Sequence, residues 1–190
     1  MTANPGATAK EVGDVLLDQG KLTPQQLEQV RRRQRRLNIP QHRAVVDLNF
    51  ASEEDTWRAL AQVNDLEFVD PVALDLKAAT LELVPIKFIF HYHMLPVSTE
   101  GDVVTLAFSE PPRQMEQGNL RLMLNRRFKT VLATPSAVHA VIKKNFGLGA
   151  ETIHKLREER GGADLDRDIV FQVQGKDTDI HLEAKSSAFV

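Results

Sequence analysis

The first third of the chain repeats itself at an interval of 29 residues. Asp18-Gln19-Gly20-Lys21-Leu22-Thr23 aligns with Asp47-Leu48-Asn49-Phe50-Ala51-Ser52, and Val15-Leu16-Leu17 aligns with Ala44-Val45-Val46. Each copy reads as a short helix, a left-handed stop, one apolar residue and a hydroxyl cap. Glycine and asparagine are the residues most tolerant of positive φ, so the Gly20/Asn49 correspondence is a physical one. A duplicated helix–turn–helix is expected over residues 10–65.

Apolar spacing gives the four helices of that repeat. Val12, Val15, Leu16 and Gln19 share one stripe that stops at Gly20. Thr23 and Pro24 read as N-cap and first helical residue, where proline's missing N–H costs nothing. Leu27 and Val30 continue this second helix until Asn38 and Pro40. A third covers Arg43 to Leu48. Ser52 caps a fourth, with Glu53, Glu54 and Asp55 suited to its positive end and Trp57, Leu60 and Ala61 on its buried stripe. Asp55 stands where a capping box has Glu or Gln, so that box is imperfect.

From Leu66 the pattern turns mixed. Glu67-Phe68-Val69 looks extended, Leu76 to Leu83 reads as a helix, and Pro85 opens another from Ile86 to about Tyr92. Leu95 to Ser98 and Val103 to Phe108 form a hairpin around Glu100-Gly101-Asp102. Neither face of the second strand is charged, so helices are expected over both. A helix from Arg113 to Asn125, a strand from Lys129 to Ala133 and a helix from Ser136 to Asn145 complete the pattern. The fold class is α+β: a duplicated helical bundle followed by a small three-stranded α/β sandwich. The expected divisions are a disordered terminus at 1–9, a helical subdomain at 10–65, an α/β subdomain at 66–147, and a linker helix with a flexible tail at 148–190. Within the tail, 151–159 reads as the helix and 169–173 with 180–182 as a weak hairpin.

Composition narrows the function classes. The 190 residues are 42% hydrophobic and 26% charged, as soluble domains are. With 24 basic against 26 acidic residues, no global field attracts nucleic acid or anionic lipid. Aromatics are only 6%, which disfavours stacking platforms, and the absence of cysteine excludes disulfides, thiol nucleophiles and Cys-ligated metals. The longest apolar run, Val103 to Phe108, is far short of the roughly 20 residues of a membrane helix. Met1 to Lys10 lacks a basic region followed by an apolar stretch, so it does not read as a secretory signal. The expected location is the cytoplasm, with membrane contact only through a partner.

Specific residues carry a family resemblance. Glu11-Val12-Gly13, Leu16-Leu17, Gly20-Lys21-Leu22-Thr23, Leu27 and Gln34 resemble the N-terminal, MshEN-type domain of type II secretion and type IV pilus assembly ATPases, the general secretion pathway protein E family. Ser52-Glu53-Glu54-Asp55, Glu67-Phe68-Val69-Asp70, Leu83-Val84-Pro85, Phe108-Ser109-Glu110-Pro111 and Gly147-Leu148-Gly149-Ala150-Glu151-Thr152 extend the likeness across about residues 10–159. Asp179-Ile180-His181-Leu182-Glu183 looks like the segment that opens the ATPase portion of those enzymes. The motor is absent from these 190 residues: no G-x-x-x-x-G-K-[ST] occurs, so phosphate cradling of the P-loop kind is excluded. The chain reads as a stand-alone relative or a truncation, without enzyme activity and without a cofactor.

The resemblance implies two roles. One is docking to a membrane-anchored secretion or pilus assembly protein, which ranks first. The other is binding of cyclic di-GMP, which some members achieve through a paired Arg-Leu-Gly motif. Here the first copy keeps Gly13, Leu16, Leu17, Gly20, Leu22, Leu27 and Gln34, but Glu11 replaces the arginine and Arg31 a leucine. In the second copy Pro40-Gln41-His42 replaces Arg-Leu-Gly, and Val63 replaces the final Gln. An arginine's fork is the strongest phosphate or guanine contact such a site has, and its loss counts against the ligand. Arg43 is the candidate to compensate. Arg31, Arg32 and Arg35, in the run from Arg31 to Arg36, are candidate anion contacts, weighed against a solvated helix C-terminus. His91-Tyr92-His93 and the other histidines show no metal-ligand spacing, and the pairs Glu53-Glu54 and Glu158-Glu159 do not converge as acid/base carboxylates would.

Overall fold

The computed structural model of the chain describes residues 10–147. The expected terminus at 1–9 and everything expected from 148 onward, including the linker helix, the weak hairpin and Asp179–Glu183, lie outside them.

The repeat is present in three dimensions. Helix α1 (Val12–Asp18) and helix α3 (Gln41–Asp47) occupy the same places in the two copies. Gly20 has φ +70° and Asn49 φ +54°. After α1 the N–H of Gly20 bonds to Leu17 O and that of Lys21 to Leu16 O. After α3 the N–H of Asn49 bonds to Val46 O and that of Phe50 to Val45 O. Both are the paired closing bonds of a left-handed helix stop. The caps of α2 (Pro24–Leu37) and α4 (Glu53–Val63) repeat too. Thr23 Oγ1 accepts the N–H of Gln26, and Ser52 Oγ accepts that of Asp55. Gln26 reaches back to the Thr23 N–H, completing the first box. The shorter Asp55 instead accepts the Ser52 hydroxyl at 2.8 Å, which is why the second box stays open.

Among the described residues the sheet is four-stranded, not three-stranded as expected. β2 (Met94–Glu100) pairs antiparallel with β3 (Val103–Phe108), with a bulge between Pro96 and Ser98. β3 runs parallel to β4 (Arg127–Leu132), and β1 (Glu67–Phe68) adds the fourth strand on the far side of β4. Two residues are too few to show an alternating pattern, so the sequence marked β1 as extended without pairing it. α5 (Ala78–Leu81) and α6 (Ile86–Tyr92) lie between β1 and β2, α7 (Gln114–Leu124) between β3 and β4, and α8 (Pro135–Phe146) follows β4. The helix expected over 76–83 contracts to α5, with Lys77 extended as its N-cap and Glu82 as its C-cap.

The buried apolar residues form one continuous cluster across both regions. It runs from Val15, Leu16, Val30 and Val45 in the helices to Leu95, Val104, Leu106, Phe108 and Leu132 in the sheet. Burying each such aliphatic or aromatic side chain contributes about 1.5–3 kcal/mol. Among the described residues, no helix is long and apolar enough to cross a membrane.

Candidate functional site

The residues singled out around the repeat fall into three groups with different fates. Leu16, Leu22 and Leu27 are core residues at 0–4% exposure, Leu17 is half-buried, and Gly20 is an exposed turn. The aliphatic part of the motif therefore holds the bundle together.

The polar part forms a closed knot. Gly13 sits in the first turn of α1, where helix N–H groups lack partners within the helix. Its N–H donates to Gln41 Oε1, from the start of α3. Gln41 Nε2 donates to Glu11 Oε2 at 2.7 Å and to Gln34 Oε1 at 3.3 Å, and Gln34 Nε2 donates to Glu11 Oε1 at 3.4 Å. Glu11, Gly13, Gln34 and Gln41 thus satisfy one another. A Cβ on Gly13 would meet Leu27 Cδ1 at 2.5 Å and Gln41 Oε1 at 2.6 Å, so a larger residue would have to displace both side chains from this close approach.

The second copy's departures from the motif also join the helices to the sheet. His42, 5% exposed, contacts Glu110 at the end of β3 through Nε2 at 3.0 Å and stands edge-on to Trp57. Arg43 approaches the same carboxylate at 3.1 Å, so the proposed compensating arginine faces Glu110. Burial works against ionisation of Glu110, but hydrogen bonds and charge from His42 and Arg43 outweigh it and hold its carboxyl below the ordinary value. Trp57 is core, and its indole N–H donates to Ser109 O at 2.6 Å. The repeat is tied internally as well: hydrogen bonds from Ser52 and Lys21 lower the pKa of Asp55, and Lys21 Nζ lies 3.1 Å from it.

The arginine run divides. Arg31 turns toward the knot and pairs with Asp14 at 2.7 Å. Arg32 and Arg35 share Glu28 at 3.4 and 3.5 Å, and Arg33 meets Asp47 at 3.2 Å. Arg32, Arg33, Arg35 and Arg36 line one open groove with Gln29 and Leu48. No group of three or more His, Asp or Glu side chains converges to hold a metal among the described residues.

Gln41, His42 and Glu110 were not marked as candidates by sequence. The repeat carried a signal for the first two. At a shift of 29, Gln41 falls on buried Val12 and His42 on buried Gly13, and polar side chains at buried positions need partners.

The sequence from 64 to 152 matches the family model of the MshEN domain. Over that segment the chain is similar to the MshEN domain. A solved structure of MshE with cyclic di-GMP has the same fold at TM-score 0.62 and 24% identity, covering 71% of this chain and 98% of that one. The N-terminal domain of XpsE matches at TM-score 0.55 and 18% identity, over 70% of this chain and 92% of that one. A comparison with curated proteins returns no match. The MshEN match begins beside α4, so it contains the sheet and its helices, while the fold likeness extends over a larger share of the chain.

Proposed function

We propose that the chain is a non-catalytic docking module of a type II secretion or type IV pilus-like assembly system, held at the cytoplasmic face of the inner membrane through its partner. The observation that carries this reading is the outward face of α7. Met115 and Leu122 are 75% and 67% exposed on one stripe, with Gly118 between them and open space above it. Leu120 is the helix's one buried residue. An apolar ridge left in water on a helix fixed from beneath supports this reading. Arg113, Arg121, Arg126 and Arg127 lie in or next to α7 along the chain, against Glu116, which accepts the Arg113 backbone N–H at 2.7 Å. The fitting partner is the cytoplasmic part of a membrane-anchored assembly protein that offers an apolar segment with acidic flanks. The MshEN match and the likeness to the XpsE N-terminal domain support the assembly-system setting. Co-expression with the cytoplasmic domain of such a protein tests the reading. Wild-type chain is expected to co-purify with it, and Met115→Asp with Leu122→Asp to abolish the complex without unfolding the chain.

Cyclic di-GMP binding is the second reading, favoured by the ligand in the MshE structure. The knot opposes it. Glu11 places an anion where a diphosphate ligand needs a cation, and the Gly13 N–H is already taken by Gln41. Calorimetry with cyclic di-GMP is expected to show no saturable heat, and micromolar binding would reverse the ranking.

A further inference from the structure

We infer that the groove along α2 is an anion site for a phosphate-bearing ligand. Gln29, Arg33 and Arg36 follow one another at i, i+4 and i+7, which places them on one stripe of the helix. At 3.6 residues per turn, that stripe lies on the side of α2 away from Gln34 and the knot. Arg32 and Arg35 border it, and Leu48 closes the wall from the end of α3. The space between them is about 620 Å³ and open to solvent.

The charges in this groove are incompletely matched. Four guanidinium groups face two carboxylates, since Glu28 serves both Arg32 and Arg35 and Asp47 serves Arg33. Arg36 makes no ion pair or hydrogen bond among the described residues. The Nε–H of Arg33 is buried with no acceptor. A buried donor without an acceptor is costly, so the Arg33 head group is not fully satisfied by Asp47, and three further guanidinium groups line the same groove. Phosphate suits the arrangement better than a carboxylate, because its several oxygens accept from more than one arginine fork at once. The negative end of the α2 dipole accounts for Arg35 and Arg36 in the last turn, but not for Arg32 and Arg33 one turn earlier. No aromatic side chain lines the groove, so base stacking is not on offer and a nucleic acid is the poorer fit. The same chemistry can reach the groove as a soluble phosphoester or as a phospholipid headgroup.

Two binding arms separate these sources. The full chain is titrated calorimetrically with pyrophosphate, and co-sedimented with phosphatidylglycerol–phosphatidylcholine vesicles and with phosphatidylcholine alone. Wild type is expected to bind pyrophosphate, the anionic vesicles or both. Binding confined to pyrophosphate assigns a soluble ligand, and binding confined to anionic vesicles assigns a headgroup. Arg33→Gln with Arg36→Gln is expected to weaken binding about tenfold or more, as loss of charge-assisted hydrogen bonds does. Arg31→Gln, outside the groove, is expected to leave it unchanged. Should the double variant fail to fold by thermal melting, Arg36→Gln alone carries the comparison, since that side chain makes no ion pair or hydrogen bond among the described residues. Absence of binding in both arms, equal weakening by Arg31→Gln, or undiminished binding by the folded groove variant overturns the assignment.

Discussion

Gln41 accepts the backbone N–H of Gly13 across 28 residues of sequence, and through this bond the start of α3 closes the start of α1. The two residues are neighbours in the repeat's own frame: Gln41 sits one step before the position equivalent to Gly13. A phosphate-bearing ligand at this place would need open backbone and positive charge. Here it holds a satisfied glutamine and a glutamate.

Replacing Gln41 with leucine restores the residue type of the paired motif but removes that acceptor. The Gly13 N–H would then be buried and unsatisfied, and Glu11 would lose its 2.7 Å donor. Chemical denaturation is expected to show a loss of about 1–3 kcal/mol. The same variant should remain silent toward cyclic di-GMP, because Glu11 still places its anion at the site.

The repeat makes a prediction at its two left-handed stops. Gly20 is at φ +70° with open space around any added Cβ, so substitution there reports backbone strain alone. Gly20→Ala is expected to cost about 1 kcal/mol. Gly20→Asn, which copies Asn49 from the other unit, should cost distinctly less in the same denaturation series. Equal losses would break the equivalence of the two stops.

The junction between bundle and sheet titrates through Glu110. Its folded pKa is lowered from an ordinary value of 4.5, so the carboxylate stabilises the fold above that pH. That contribution disappears as the pH falls through the ordinary value toward the lower, folded one. Wild type is therefore expected to be more stable than Glu110→Gln at neutral pH. The gap should narrow as the solution is acidified below about pH 4.5. Thermal melts of both proteins across that range check the sign, and a gap that widens in acid would contradict it.

Much of this fold was legible because its signals are local. Thr23-Pro24, Ser52, Gly20 and Asn49 each declare a helix boundary within a few residues, and α2 and α4 start where those caps place them. The fourth strand was not, because Glu67 and Phe68 acquire their identity only by lying against Val131 and Leu132. The candidate site divides along the same line. The leucines of the motif were found as a pattern, but their burial is what shows them to be core. Gln41 and Glu110 act through partners 28 and 68 residues away, and spacing along a chain does not encode such meetings. Likewise, the arginine run was visible as charge, while its division between Arg31 at Asp14 and the groove-facing four required the helix's orientation.

The proposal that this chain works by holding a protein partner is tested most directly at the α7 ridge. The measurement is complex formation, by size-exclusion chromatography, between the chain and the cytoplasmic domain of a membrane-anchored assembly protein from the same secretion or pilus system. Wild type is predicted to elute as a complex, while the folded Met115→Asp, Leu122→Asp variant elutes alone. A wild-type chain that elutes alone beside that domain, or a ridge variant that binds as well as wild type, would contradict the account.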